Sequence, residues 1–399
     1  MRHATAQAPR PRVLLVGRTR FGLPLTGGLR RKFDALAERL ELRVVGSARS
    51  GSSRSDAIFR LLPPLRPRAI DGPWFHLSLP FRVGWHLRRF DPDVVLVQGA
   101  HEAGIVLLVR AVVRRRARVV LDVHGDWRLA TRLYGSRARR LLNVLADPLA
   151  LVAVRRADAL RTVSEFTSGL VRSAGSEPTA QFPPFIDFEP FLRPPAPLPD
   201  RPVALFVGVL ERYKNVDALV AAWRLIAPQL PGAELRIVGS GSRASAVEAL
   251  RRDLPAQTRW IPELEPEQVA AQLDAATCLV LPSASEGMGR VIVEALLRGR
   301  PVVGARTGAT PELVRDGDNG VLVDAGDPRE LASALLRVLS DRALAAELVS
   351  SARAGAKRLV FDPSEYAASV LALVAAAVRV PELEVPAGVA AAAGPGALA

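Results

Sequence analysis

Glu286 and Glu294 stand eight residues apart in EGMGRVIVEA (286–295), between the strand-like LVLPS (279–283) and the helix-breaking RGRP (298–301). A carboxylate at an apolar position is costly without a partner, so two in one short helix call for an explanation. Gly287 and Gly289 open that helix, and a residue without a side chain lets a ligand approach the backbone. Free N–H groups and the positive end of the helix dipole favour an anion there, phosphate above all. Eight residues rise about 12 Å along an ideal helix, comparable with the span from sugar to ribose across a diphosphate. One carboxylate would accept hydrogen bonds from sugar hydroxyls and the other from ribose hydroxyls. The same residues also read as an acid at a helix start followed by a satisfied buried glutamate, and spacing alone does not separate the two.

Further candidates fall at the ends of apolar runs. VGVLERYKNVDALVAAW (207–223) carries Lys214, one of three lysines in the chain. LDVHGDW (121–127) places His124 at a strand end, a position where a histidine can face a reacting group. TGGLRRKF (26–33) presents Gly27 and Gly28 after the first strand. TVSEFT (162–167) offers Ser164, which a helix N-cap explains equally well. No cluster of His, Cys and Asp has metal-ligand spacing, so neither an obligatory metal nor a cofactor is expected. No carboxylate dyad suggests itself as a covalent nucleophile.

The elements that hold these residues repeat one rhythm. Strand-like runs in the first half are RVLLVG (12–17), LRVVG (42–46), DVVLVQ (93–98), RVVLDV (118–123) and ALRTVS (159–164). The second half has VALFVG (203–208), AELRIVG (233–239), CLVLPS (278–283), PVVGA (301–305) and GVLV (320–323), and longer helical patterns intervene throughout. Strands apolar on both faces, alternating with helices, predict parallel sheets covered on each side. The chain of 399 residues is long enough for two such cores, and FLRPPAPLPDRP (191–202) separates them as a linker. Two doubly wound sheets create a crevice at the carboxyl ends of their strands, which is where the candidates fall.

The block PSASEGMGRVIVEALLRGRPVVGARTGATPELVRDGDNGVLVDAGD (282–327) closely resembles the donor-binding region of glycosyltransferase family 4. It has the paired glutamates, a later G-x-x-E-x-V-like element in GATPELV (308–314) and a final DG-x-x-G-x-LV. The likeness extends to 207–223 and, more weakly, through the first half. It implies a GT-B fold: two Rossmann-like α/β domains facing a central cleft. Residues 1–190 would bind acceptor, 203–360 nucleotide sugar, and 361–379 would form a helix crossing back, ahead of a disordered Ala/Gly/Pro tail at 380–399.

The resemblance also implies roles. Lys214 matches a lysine that contacts the donor diphosphate, while the arginine usual at position 209 is replaced by Val209. Arg212 or Arg290 would restore the charge. Gly27, Gly28, Glu286, Gly287, Met288, Gly289, Arg290 and Glu294 would line the donor, and Asp126 and Trp127 the acceptor. His124 would face the transferred sugar. The reaction implied is retaining, by front-face substitution in which the departing diphosphate takes the acceptor proton. Pro262 stands in TRWIPEL (258–264) where the family commonly has glycine at the base-binding loop.

Charge adds a partner. The net charge of +14 divides into +17 for residues 1–195 and −3 for the remainder. A basic half implies an anionic surface or substrate. Arginine runs at 30–32, 114–118 and 137–140 accompany WFHLSLPFRVGWHLRRF (74–90), a segment suited to a lipid headgroup layer or, equally, to a core helix with a solvated face. We therefore expect a nucleotide-sugar donor, a lipid-linked or cell-envelope glycan acceptor, and peripheral contact with the inner face of a membrane. Aromatics make up only 5%, and no base-stacking or groove-reading motif argues for nucleic acid. The single cysteine, Cys278, suits a reducing cytoplasm. MRHATAQAPRPRVLLVG has no apolar core of a signal peptide, and the apolar run 366–378 is too short to span a bilayer. The readings that compete are a GT-B epimerase or phosphorylase and a non-catalytic basic binding protein.

Overall fold

The structure, a computed structural model, describes residues 9–65, 70–129 and 137–378. The first domain is built from β1 (Arg12–Phe21), α1 (Gly27–Arg39), β2 (Glu41–Ala48), β3 (Phe59–Leu62), α2 (Asp71–Arg89), β4 (Val94–Gln98), α3 (Ala100–Val113), β5 (Arg118–Val123), α4 (Arg137–Arg156), β6 (Ala159–Thr162), α5 (Glu165–Ser173) and β7 (Ala180–Gln181). Its strands form one sheet in the order β3-β2-β1-β4-β5-β6-β7. All its ladders are parallel.

The second domain contains β8 (Val203–Val207), α6 (Val216–Ile226), β9 (Glu234–Val238), α7 (Ala244–Asp253), β10 (Thr258–Ile261), α8 (Pro266–Asp274), β11 (Cys278–Leu281), α9 (Arg290–Leu297), β12 (Val302–Ala305), α10 (Thr310–Leu313), β13 (Gly320–Val323), α11 (Pro328–Ser340) and α12 (Arg342–Lys357). Its sheet runs β10-β9-β8-β11-β12-β13, again parallel. In each sheet the first strand lies centrally, between the second and a later one. Strand order therefore reverses at β1/β4 and at β8/β11, the places where open α/β sheets leave a crevice for ligands.

Strands such as β4, β8 and β11 are buried along nearly their whole length, as the unbroken apolar runs require. Three short strands were not anticipated. β3, β7 and β10 lie at sheet edges, where one flank has no neighbour and a long apolar run is not needed. β10 occupies the front of TRWIPEL; Trp260 donates through its indole N–H to the Gly239 carbonyl at 2.9 Å, and Pro262 follows the strand, exposed.

The proline-rich connection is fastened to the second domain. Arg298 and Arg300, 3% and 1% exposed, donate to the carbonyls of Arg193 at 2.7 Å and Ala196 at 2.8 Å. Arg298 also binds Asp274 with both oxygens at 2.6 Å. After the second domain the chain returns as α13 (Pro363–Val378), which packs on α1 and beneath β4, β5 and β6, with Tyr366 in the first domain's core. No described helix is long and apolar enough to cross a membrane. The expected tail 380–399 and the side chains of the arginine run 137–140 lie outside the described residues.

Candidate active site

Because β8 and β11 are neighbours, the loops that follow them lie side by side. The first ends in a 3₁₀ turn, Arg212–Lys214, that directs Lys214 inward. The second carries Glu286, and Nζ of Lys214 reaches its Oε1 at 2.5 Å. Both side chains are about one-tenth exposed. The two loops are stitched by the Ala284 amide donating to the Tyr213 carbonyl at 2.7 Å, and a third loop joins them where the Ala309 amide donates to the Glu286 carbonyl at 2.9 Å. Gly308 allows that approach: it has φ +57°, and a Cβ there would sit 2.3 Å from the Glu286 carbonyl oxygen.

α9 begins only at Arg290, so Glu286 stands in the loop before it, while Glu294 lies one turn into the helix and is 3% exposed. Burial pushes its carboxyl up from the ordinary value, and Arg290, whose Nε is 2.5 Å away one turn earlier, pulls in the opposite direction. Both glutamates thus have a cation of the protein's own. A buried charge needs a partner whether or not a sugar is bound, so the hydroxyls expected at these carboxylates would join or displace a cation already in place. Arg290 is committed to Glu294, whereas Arg212 is exposed and makes no ion pair among the described residues. Val209, at the position of the missing arginine, is 46% exposed. Met288 is buried in the second domain's core.

Across the cleft, His124 follows β5 and its Nε2 lies 2.8 Å from Oδ2 of Asp122. Residues two apart on a strand share a face. Asp122 is in turn bound by Arg161, directly opposite it on β6, with Nη1 at 2.8 Å from both carboxylate oxygens. Arg161 also donates to the Phe182 carbonyl at 3.0 Å and lies over the Phe182 ring at 4.1 Å. Burial alone would raise the Asp122 carboxyl, but Arg161 and His124 together hold it down at about 2. An ionised Asp122 only accepts, so in the neutral ring Nε2 of His124 carries the proton and Nδ1 is left as an acceptor.

The two walls touch. A Cβ on Gly287 would fall 1.8 Å from the His124 carbonyl oxygen, so only glycine fits between them. Ser164 is the helix N-cap that the sequence allowed, and it also reaches the other wall. It caps α5, accepting from the Thr167 amide at 3.2 Å, and its hydroxyl donates to the Gly287 carbonyl at 2.6 Å. Glu312, from GATPELV, reaches over from the second domain to accept from the amides of Glu165 at 2.8 Å and Phe166 at 2.6 Å. Its carboxyl is raised by burial, with those two amides acting against the rise.

Other expected residues are placed differently. Gly27 has φ +54° and open space where a side chain would be, but Gly28 is pressed against Asp187, at 2.4 Å from a hypothetical Cβ. Arg31 ties α1 to Asp187 at 2.8 Å and to Glu189. Trp127 is 8% exposed and lies in the core beneath α2 and α3, which corrects its assignment to an acceptor surface: its large apolar ring gains more from packing than from a wet wall. Asp126 accepts from the Arg128 amide at 2.9 Å and pairs with its guanidinium. Among the described residues no group of His, Cys, Asp or Glu could hold a metal ion.

Two families match the chain back to back: one described as Glycosyltransferase Family 4 over residues 29–190, and one described as Glycosyl transferases group 1 over residues 188–355. Together the two matches run from residue 29 to residue 355, one over each α/β domain. A D-inositol 3-phosphate glycosyltransferase of Acidothermus cellulolyticus is 41% identical over 171 residues, which is 40% of this chain and 38% of that protein. One from Xylanimonas cellulosilytica is 34% identical over 259 residues, 59% of each. The matched stretches thus span from 38% to 59% of these relatives' lengths. Among solved structures, sucrose-phosphate synthase from Thermosynechococcus elongatus has a TM-score of 0.74 at 22% identity, covering 91% of this chain and 98% of that one. Anabaena HepE in complex with UDP-glucose has a TM-score of 0.64 at 19% identity, covering 90% and 99%. At these identities the likeness shows the GT-B fold alone.

Sequence reasoning missed Asp122, Arg161 and Glu312. The Asp-x-His spacing in LDVHGDW was a usable signal for the first. Arg161 needed the β5–β6 register, and Glu312 needed the docking of two domains.

Proposed function

We propose that the protein transfers a hexosyl group, with retention, from a nucleotide diphosphate sugar to a hydroxyl acceptor. The observation that carries this reading is the Lys214–Glu286 pair, set at the glycine-led mouth of α9 and facing His124 across the cleft. In the proposal a donor slides its diphosphate between them. Lys214, the Gly287–Gly289 amides and the exposed Arg212 then meet the negative charge that grows on the leaving group, which is where stabilisation accelerates reaction. Glu286, relieved of part of its contact with Lys214, accepts from sugar hydroxyls, and Glu294 from the ribose. The departing diphosphate takes the acceptor proton, so no covalent intermediate is required. His124, its orientation set by Asp122, holds the sugar through Nδ1.

The acceptor in this proposal is a lipid-linked or cell-envelope glycan presented at a membrane surface, in keeping with the +17 of residues 1–195. The relatives named D-inositol 3-phosphate glycosyltransferases add a phosphorylated cyclitol to the acceptors to be tried. The test is a thermal-shift panel of UDP-, GDP- and ADP-sugars, followed by product analysis with the donor that stabilises. A glycoside of retained anomeric configuration, lost in Glu286→Ala, is expected. A nucleotide sugar epimerised without transfer, or no donor-dependent shift at all, would overturn the reading.

A further inference from the structure

α2 is apolar on two opposite sides. Phe75, Leu79, Val83 and Leu87 are buried against the sheet, but Trp74, Leu77, Phe81 and Trp85, at spacings of three and four, face outward. Leu77 is 69% and Phe81 82% exposed. The helices beside it continue the pattern: α3 exposes Leu108 (65%) and Val112 (72%), and α4 exposes Leu149 and Val152. α3 packs between α2 and α4, so these side chains lie on the outer surface of one helical layer. At Gly104 a Cβ would meet Leu149 at 2.5 Å, which shows how closely α3 and α4 approach. An exposed apolar surface spread over three packed helices marks an interaction site rather than scatter.

Its rim is basic. α2 ends in exposed Arg88 and Arg89, α3 in Arg114 followed by Arg116, and α4 in Arg155 and Arg156. Arg88, Arg89, Arg114 and Arg116 make no ion pair among the described residues. All three helices run antiparallel to a parallel sheet, so their arginine ends share one edge, away from the cleft, and Trp74 lies towards the cleft. A second copy docked with its helices parallel to these would bring arginines against arginines. A bilayer with anionic headgroups supplies both the apolar layer and the opposite charge.

We infer that the outer face of α2, α3 and α4 is the docking surface for an anionic lipid bilayer, with its aromatic and leucine side chains entering the headgroup layer and its arginines on the lipid phosphates. This deepens the membrane part of the proposed function and rests on it only for where acceptor is met. Donor binding is read out separately.

The experiment is flotation of the full chain with phosphatidylcholine vesicles, with and without roughly one third phosphatidylglycerol. Binding is expected with the anionic vesicles, falling about tenfold in their absence or at high salt. The double variant Leu77→Glu/Phe81→Glu loses flotation yet keeps the wild-type melting temperature and its rise with nucleotide sugar. Arg88→Glu/Arg114→Glu loses the preference for anionic vesicles. Flotation that survives both variants, or is absent from the wild type, overturns the inference. So does a wild-type dimer in analytical ultracentrifugation that Leu77→Glu/Phe81→Glu converts to monomer, because the face would then belong to a second copy. A double variant that fails the melting control is replaced by Leu108→Glu/Val112→Glu, read the same way.

Discussion

Replacing Gly287 by alanine tests the cleft directly. The added Cβ would lie 1.8 Å from the His124 carbonyl oxygen and 2.8 Å from its carbon, whereas real Cβ contacts stay beyond 3.0 Å. Relief therefore requires the two backbones to part by about 1.2 Å, the difference of those two distances. Neither is a flexible side chain, so the movement falls on the seam between the domains. It would also stretch the 2.6 Å bond from Ser164 to the Gly287 carbonyl. Misplacing reacting groups by about 1 Å costs on the order of 100-fold in rate. Gly287→Ala is accordingly expected to lose about 100-fold in kcat/KM, while each domain keeps its own core and Tm falls little. Ser164→Ala, which removes the bond without the clash, should lose at most about tenfold. Steady-state kinetics with the donor identified by the panel, alongside thermal melts, make the measurement. Wild-type kcat/KM in Gly287→Ala would refute the closed seam, and an equal loss in both variants would refute the steric argument.

Lys214→Met should lower kcat by about 100- to 1,000-fold, because it removes the cation meant for the leaving group and leaves the nearly buried Glu286 without its partner; single-turnover rates with saturating donor check it. Asp122→Asn should destabilise the fold by about 3 kcal/mol, since Arg161, 2% exposed, would keep its charge without a counter-ion; urea denaturation measures this. The wild type should lose stability in acid through the same residue. The Asp122 carboxyl drops from 3.8 to about 2 on folding, so its contribution of about 2 kcal/mol is complete above pH 3.8 and disappears as pH falls towards 2. Glu294, by contrast, is raised, so it gains its proton early as pH falls. Donor affinity should be full above that raised value and weaken below it, a limb that Glu294→Gln flattens in a pH series of donor KM.

The strands around the switch points were legible because a strand covered on both faces must be apolar, and β4, β8, β11 and the first part of β1, Val13–Val16, are. The edge strands β3, β7 and β10 escaped notice because they are short and partly exposed, whereas β13, at the other edge of the second sheet, is buried throughout and was read from GVLV. Glu286 and Lys214 could be named from their motifs, and their loops do meet, but the ion pair between them is a matter of side-chain direction that spacing does not encode. Trp127 shows the opposite failure. Its neighbours His124 and Gly125 lie against Gly287 at the seam, yet the indole turns into the core. Gly287 was read as room for a phosphate; the structure gives it a second duty against His124. Residues that act between domains, Glu312 above all, carry no local signature.

The chain passes between its two domains twice, once through the segment that Arg298 and Arg300 grip and once on its way into α13. A pair of tethers leaves fewer ways to separate than a single one. A separation of the domains would therefore be steered towards a swing about the line joining the crossings, with shear and twist resisted. Since the buried arginines stiffen the outgoing tether on one side, bending falls on the residues just before it and on the short return near 358–362. The Gly287–His124 contact then behaves as a doorstop that fixes how far the swing can close.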